Sequence, residues 1–183
     1  MSTQWPRWEV FKQDAPGKPH QAVGSVHAVD PQHALVTARS VFARRPNAVS
    51  MWVVPATSIL ARTAEELEGE VPGAGPAGTT ERFLVFRKTS HRRSMTFVDH
   101  AGEVEATSPE EALGLARERF QAAPTLAWWI VPASALTRSD ESDEAVESWF
   151  APARDKTYRQ QSAYGLVGSH PARHGEGRAT HDE

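Results

Sequence analysis

The chain has 183 residues, 39% hydrophobic and 23% charged, with 20 Lys+Arg against 23 Asp+Glu and no cysteine. That length suits one ordinary domain or two small ones and buries a core without staples, while the missing cysteines exclude disulfides, thiolate zinc sites, Cys-ligated iron–sulfur clusters and a Cys nucleophile. A net charge of −3 gives no basic face for nucleic acid, no apolar run approaches a membrane span, and residues 1–9 lack a signal-peptide core, so a cytoplasmic protein with neither a nucleic-acid nor a membrane partner is expected.

The first expected element is a strand at residues 8–13, where Trp8, Val10 and Phe11 supply the aromatic and β-branched side chains that suit a pleated surface. Asp14-Ala15-Pro16-Gly17-Lys18-Pro19 reads as a turn, followed by a second strand over residues 23–29. Asp30-Pro31 then opens a helix, Asp30 as the cap and Pro31 at the first helical position. Ala34, Leu35, Ala38, Val41 and Phe42 recur at three- and four-residue spacing, and Pro46 closes the segment. A short apolar strand, residues 50–54, is expected to stop at Pro55. Residues 61–80 set Arg62 against Glu65, Glu66, Glu68 and Glu70 before a Gly/Pro run, the composition of a solvated linker.

The same series then returns. Phe83-Leu84-Val85-Phe86-Arg87 matches Trp8-Glu9-Val10-Phe11-Lys12 at an offset of 75. Ser108-Pro109-Glu110-Glu111-Ala112-Leu113 matches Asp30-Pro31-Gln32-His33-Ala34-Leu35 at 78, and Trp129-Ile130-Val131-Pro132 matches Trp52-Val53-Val54-Pro55 at 77. Here Ser108 and Glu111 form a capping box, and Ala112, Leu113, Ala116 and Phe120 make the apolar stripe. Offsets that shift by a few residues place insertions in loops, where they cost little, and a tandem duplication accounts for the pattern.

The fold class expected is therefore α+β: two tandem ββαβ units, each a small antiparallel-rich sheet with one helix packed on it, together forming an intrachain pseudo-dimer. Residues 1–60 form the first unit, 61–80 the linker and 81–138 a second, diverged unit. Residues 139–148, with five acids in the surrounding block and no base, form a second linker. Residues 149–164 read as an aromatic, extended arm and 165–183 as a disordered tail.

Few residues invite chemistry. Gly73-Ala74-Gly75-Pro76-Ala77-Gly78 satisfies G-x-G-x-x-G, but an acidic run precedes it and a strand follows, so it reads as linker. No Glu-x-x-His occurs, which removes the helical motif of carboxylate-bridged di-iron sites, and His170/His174 lie among Pro, Gly and Ser. No catalytic or metal-ligating residue is expected. Arg44 and Arg45, close to Arg39, suit a helix C-terminus or an anionic partner. Six tryptophans stand out: Trp52 and Trp129 are expected in the core, while Trp5, Trp8, Trp128 and Trp149 are expected to be more accessible. Aromatics beside Arg are enriched at interfaces, so a binding protein is favoured over an enzyme.

These residues resemble a known family, the phenylacetic acid degradation protein B family, the small B subunit of the multicomponent 1,2-phenylacetyl-CoA epoxidase. The resemblance rests on Trp5-Pro6-Arg7-Trp8-Glu9-Val10-Phe11, on Gly24-Ser25-Val26-His27-Ala28-Val29-Asp30, and on Ala34-Leu35, Ala38-Arg39 and Arg44-Arg45. Val49-Ser50-Met51-Trp52-Val53-Val54-Pro55 and Phe150-Ala151-Pro152-Ala153-Arg154-Asp155-Lys156-Thr157-Tyr158-Arg159 complete it. Members typically carry a single unit; this chain inserts a second copy, which has Glu105 where His27 aligns. The resemblance implies a non-catalytic structural subunit, without a cofactor of its own, that bridges assemblies of a catalytic di-iron A subunit and a structural C subunit. It implies partner contacts through Trp5, Trp8, His27, Arg44, Arg45, Trp149, Phe150, Tyr158 and Arg159. The alternative is a regulatory module that binds a small ligand or CoA thioester through Arg44, Arg45 and His27.

Overall fold

The computed structural model describes residues 4–43, 48–68, 79–91, 94, 96–121 and 124–154. The first strand, β1 (Arg7–Gln13), pairs antiparallel with β2 (Gln21–His27), which leads into helix α1 (Pro31–Phe42). Asp30 accepts a hydrogen bond from the His33 amide at 2.8 Å, and Pro31 lies in the first turn. The chain returns as β3 (Ser50–Pro55) on the other edge of β1, makes a 3₁₀ turn (Ala56–Ser58) and ends this run in β4 (Leu60–Thr63).

The element order then repeats: β5 (Glu81–Lys88), β6 (Asp99–Ala106), α2 (Pro109–Arg119), β7 (Ala127–Pro132), a 3₁₀ turn (Ala133–Ala135) and β8 (Thr137–Arg138). A third helix, α3 (Asp143–Arg154), follows. The protein is α+β, with one antiparallel eight-stranded sheet in the order β4-β7-β5-β6-β2-β1-β3-β8.

Two features of that order were not legible in the sequence. Strands β4 and β8, which follow the prolines that end β3 and β7 and were not among the expected elements, cross over reciprocally. Leu60 to Thr63 pair with Ile130 to Ala127 of β7, and Thr137 and Arg138 pair with Val53 and Trp52 of β3. Each 3₁₀ turn after Pro55 or Pro132 redirects the chain onto the other run's edge. The runs also meet at β2 and β6, where Gln21 pairs with Asp99 and its amide donates to the Asp99 carboxylate at 2.6 Å. Around that pair, Ala22 N donates to Val98 O and His100 N donates to His20 O, two bonds related by the same swap of runs.

The sheet curls over on itself. In sheet order β1 and β5 lie three places apart, about 14 Å in a flat sheet at ~4.8 Å per strand. Yet the Phe11 and Phe86 rings stack with centroids 4.2 Å apart. The enclosed face holds an inner core of Phe11, Ala22, Trp52, Val54, Leu84, Phe86, Val98, Trp129 and Val131, drawn from both runs. Strand alternation sends the intervening side chains outward. Val10, Val26, Met51 and Val53 meet Ala34 and Ala38 of α1, and Phe83, Val85, Val104 and Ile130 meet Ala112, Leu113 and Ala116 of α2.

Residues 139–148 and 149–164 are not simply a linker and an extended arm, because α3 spans Asp143–Arg154. Asp143 and Glu144 suit the positive end of its dipole, and the Ser142 hydroxyl accepts from Ala145 N at 3.3 Å. Val146, Trp149 and Phe150, at three- and four-residue spacing, pack on the core beneath α1. The acidic block after β4 is likewise partly ordered. Thr63 and Glu66 cap each other reciprocally, and the single turn they start drives Leu67 into the core beneath α2. The G-x-G-x-x-G stretch and the tail at 165–183 lie outside the described residues.

Gly24 and Gly102 occupy matching positions opposite strand irregularities at Val10/Phe11 and Val85/Phe86. Both have positive φ, 142° and 152°, and an added Cβ at each would meet the ring of Phe42 or Phe120 at 3.0 or 2.6 Å. Gly102→Ala therefore combines backbone strain with a ring clash, at about 1–3 kcal/mol. A fall of several degrees in Tm is expected by thermal unfolding, and a smaller fall for Gly17→Ala, where nothing lies within 4 Å.

Candidate functional site

The periodicity of α1 decides what the first run presents to solvent. Ala34 and Ala38 are fully buried, which leaves Val36 and Val41 on the opposite side at 53% and 44% exposure. Val29, just before the helix, is also exposed. Trp5 sits beside them, 54% exposed, its ring edge-on to His33 at 5.1 Å. His27, exposed, fixes this arrangement. A carbonyl only accepts, so His27 Nδ1 carries the proton it donates to Trp5 O at 2.8 Å. The Val29 amide meets His33 Nδ1 at 3.5 Å.

This apolar ridge runs into a groove between α1 and α3. Leu35, Val36, Arg39, Met51, Ser139, Asp140 and Trp149 line it, with a volume of about 130 Å³. Among the described residues Arg39 makes no ion pair.

The residues expected at an interface thus divide. Trp5, His27 and Trp149 lie on or beside this face. Trp8 and Phe150 are instead core residues, 7% and 5% exposed, and the Trp8 indole N–H donates to Ala28 O at 3.1 Å. Trp8 lies on the outward side of β1, beneath α1, and Phe150 on the inward face of α3, so both are covered. Trp128, also expected to be accessible, is buried in the core beneath α2, whereas Trp52 and Trp129 are buried as expected. Arg44, Arg45, Tyr158 and Arg159 lie outside the described residues.

A second constellation, missed in the sequence, determines where α3 begins. His20, 6% exposed, stacks on Trp52 with ring centroids 3.4 Å apart. Ser50 donates its hydroxyl proton to Glu141 at 2.7 Å, so the 2.8 Å contact with His20 Nε2 is a bond donated by the imidazole. The Ser50 oxygen therefore accepts a hydrogen bond from His20 rather than donating one to it, so this geometry anchors and does not activate a nucleophile. Ser139 continues the tie: its amide donates to Met51 O at 2.8 Å and its hydroxyl accepts from Met51 N at 3.0 Å. Residues 139–141 are held against β3, and α3 leaves from that point onto the α1 side.

Desolvation, helped by the nearby His100 and Arg138, lowers the pKa of His20 to about 3. His100 is lowered too, mainly by burial and opposed by Glu103 and the Gly102 backbone. Both histidines are neutral at pH 7. Among the described residues no group of three His, Asp or Glu is disposed to hold a metal ion, and no helix is long and apolar enough to cross a membrane.

The histidines also set a pH dependence. His20 takes up a proton near pH 6.5 when unfolded but only near pH 3 when folded. Between those values the unfolded state binds more protons, so stability is complete above about pH 6.5 and is lost as the pH falls. Tm is expected to drop from pH 7 to pH 4. In His20→Phe, which keeps a ring on Trp52, the slope should be shallower, with His100 supplying the remainder.

Comparison with known proteins adds three findings. The family described as Phenylacetic acid degradation B matches residues 4–74 and 79–171. The chain is 45% identical over 62 residues to the B subunit of the 1,2-phenylacetyl-CoA epoxidase of Escherichia coli (strain K12). That match covers 34% of this chain and spans about 65% of the relative's length. No solved structure matches.

Proposed function

The chain belongs to the phenylacetic acid degradation B family, and from that membership we propose that it is a non-catalytic structural subunit that bridges components of a phenylacetyl-CoA epoxidase. The di-iron centre lies on the catalytic A subunit, which is held with the structural C subunit. The observation that carries this reading is the ridge of Trp5, Val29 and Val36 leading into a groove rimmed by Trp149 and Arg39. Tryptophan and arginine around an apolar recess are the composition of interface hot spots. A recess of about 130 Å³ accepts one apolar side chain and falls below the ~300 Å³ at which small-molecule sites begin.

The repeated element order extends the proposal. Residues 1–60 and 81–138 are diverged copies of one unit, and the chain takes the place of two identical subunits as an intrachain pseudo-dimer. The reciprocal crossing of β4 and β8 and the paired bonds around Gln21 and Asp99 support that reading.

The test is co-purification with the A and C subunits. Trp5→Ala is expected to weaken it several-fold with little change in Tm, Trp149→Ala to weaken it with some fall in Tm because the ring also packs beneath α1, and Trp8→Ala to act by unfolding. Titration of the isolated chain with phenylacetyl-CoA should give no binding. Micromolar affinity without partners would instead favour a ligand-binding module. Light scattering should report the mass of a single chain, and a fixed dimer of full-length chains would count against the pseudo-dimer.

A further inference from the structure

The apolar ridge of the first run lies beside an acidic surface. Residues 28–43 and 139–151, which carry α1 and α3, hold six acids against one base, Arg39. Asp30 caps the His33 amide and Glu141 holds Ser50. Asp140, Asp143, Glu144 and Glu147 are all exposed, and Asp140 stands in the groove wall itself. A helix is about 10 Å across, close to the Debye length of about 8–10 Å in physiological salt, so every acid on α3 acts at the groove mouth. Arg44, Arg45 and Arg154 bring the same stretches, extended to residues 45 and 154, only to six acids against four bases.

Apolar surface rimmed by carboxylates selects Lys and Arg, whose methylene stems cover apolar area while the charged head reaches the acids. Trp149 at the groove and Trp5, half exposed beside the ridge, add indole faces that attract a cation. At the repeat offsets the second run has Thr80, Gly114 and Arg119 for Trp5, Val36 and Val41, so this combination belongs to the first run alone.

Resting on the subunit reading above, we propose that the groove between α1 and α3 docks a basic amphipathic segment of the partner assembly. One apolar side chain of that segment fills the recess of about 130 Å³, and its apolar face covers Trp5 and Val36. Lys or Arg side chains beside it direct their charges to Asp140 and α3. Arg39, on the α1 wall, repels a base placed there and so fixes which way the segment lies. This is one of the contacts that a bridge requires.

The experiment is titration and cross-linking of the full chain with the purified A–C assembly. Asp140→Asn combined with Glu144→Gln removes two charges and keeps an oxygen for the Ser142 amide, which Asp140 accepts at 2.9 Å. That variant should bind roughly fivefold more weakly at low salt, mostly through slower association. The difference should vanish near 1 M salt, where the Debye length is about 3 Å. Arg39→Gln should leave binding unchanged or tighten it. Because the chain has no cysteine, Val36→Cys offers a single exposed thiol for a photo-cross-linker. It should capture a peptide of the A–C assembly with Lys or Arg within a few residues of the linked site. Unchanged or tighter binding by the acid-neutralised variant, or weaker binding by Arg39→Gln, overturns the proposal. So does a cross-link to an acidic peptide or to a second copy of this chain, or none at all while the assembly binds. Each of these leaves the subunit reading standing, whereas a wild-type chain that binds no A–C assembly overturns both.

Discussion

The inner core is the constraint on which the rest of the structure depends, because neither run can close it alone. Phe11 and Trp52 come from one run and Phe86 and Trp129 from the other, and the stack of Phe11 on Phe86 forms only when the sheet folds over. At ~25 cal/mol per Å², burying rings of this size drives that closure more strongly than the sparse backbone seam between β2 and β6. Reciprocal crossing of β4 and β8 then ties each run to the other's outer edge. Pulling the runs apart would expose the aromatic face and leave strand edges unpaired at once, so they unfold together.

Within that core the halves are unequal. By the repeat offset, His20 takes the place that Val98 holds in the second run, and His100 the place that Ala22 holds in the first. Both histidines therefore crowd around Trp52, which Arg138 also overlies at 5.1 Å, while Trp129 has apolar company. The Trp52 indole N–H and His100 Nε2 are buried without a hydrogen-bond partner among the described residues, a cost that a wholly apolar core would avoid. What the polar half supplies is the anchored path through Ser50 and Glu141, which starts α3 on the α1 side. The groove on the outer face thus depends on an interaction on the inner one.

How much of this was legible in the sequence follows from the range of each interaction. The three long strands of each run and both capped helices were readable, because Asp30-Pro31, Ser108-Pro109 and the apolar alternation act within a few residues. Strands β4 and β8 are short and polar, Leu-Ala-Arg-Thr and Thr-Arg, and are defined by an edge that exists only after folding. The pairing of Gln21 with Asp99 and the Ser50–Glu141 bond join residues 78 and 91 apart and leave no local trace. Helix α3 was readable in principle from the spacing of Val146, Trp149 and Phe150, but the acids before it suggested a solvated linker. Aromatic composition marks interface material, yet Trp8 and Trp5, three residues apart, divide between core and surface by their position on β1 and before it.

The two runs therefore match where they pack and differ where they face solvent. Packing positions survived: Val10 and Val85, Ala34 and Ala112, Ala38 and Ala116, and Phe42 and Phe120 keep their chemistry, and Gly24 and Gly102 still make room for the same ring. Exposed positions around α2 did not, and the apolar ridge became Gly, Thr and Arg. Side chains from both runs are needed to close the inner core, whatever the surface around α2 carries, so the outward positions there are not held by the fold. Two runs of one order within a single chain are under no requirement to match as identical subunits are, and each face answers only to what it touches.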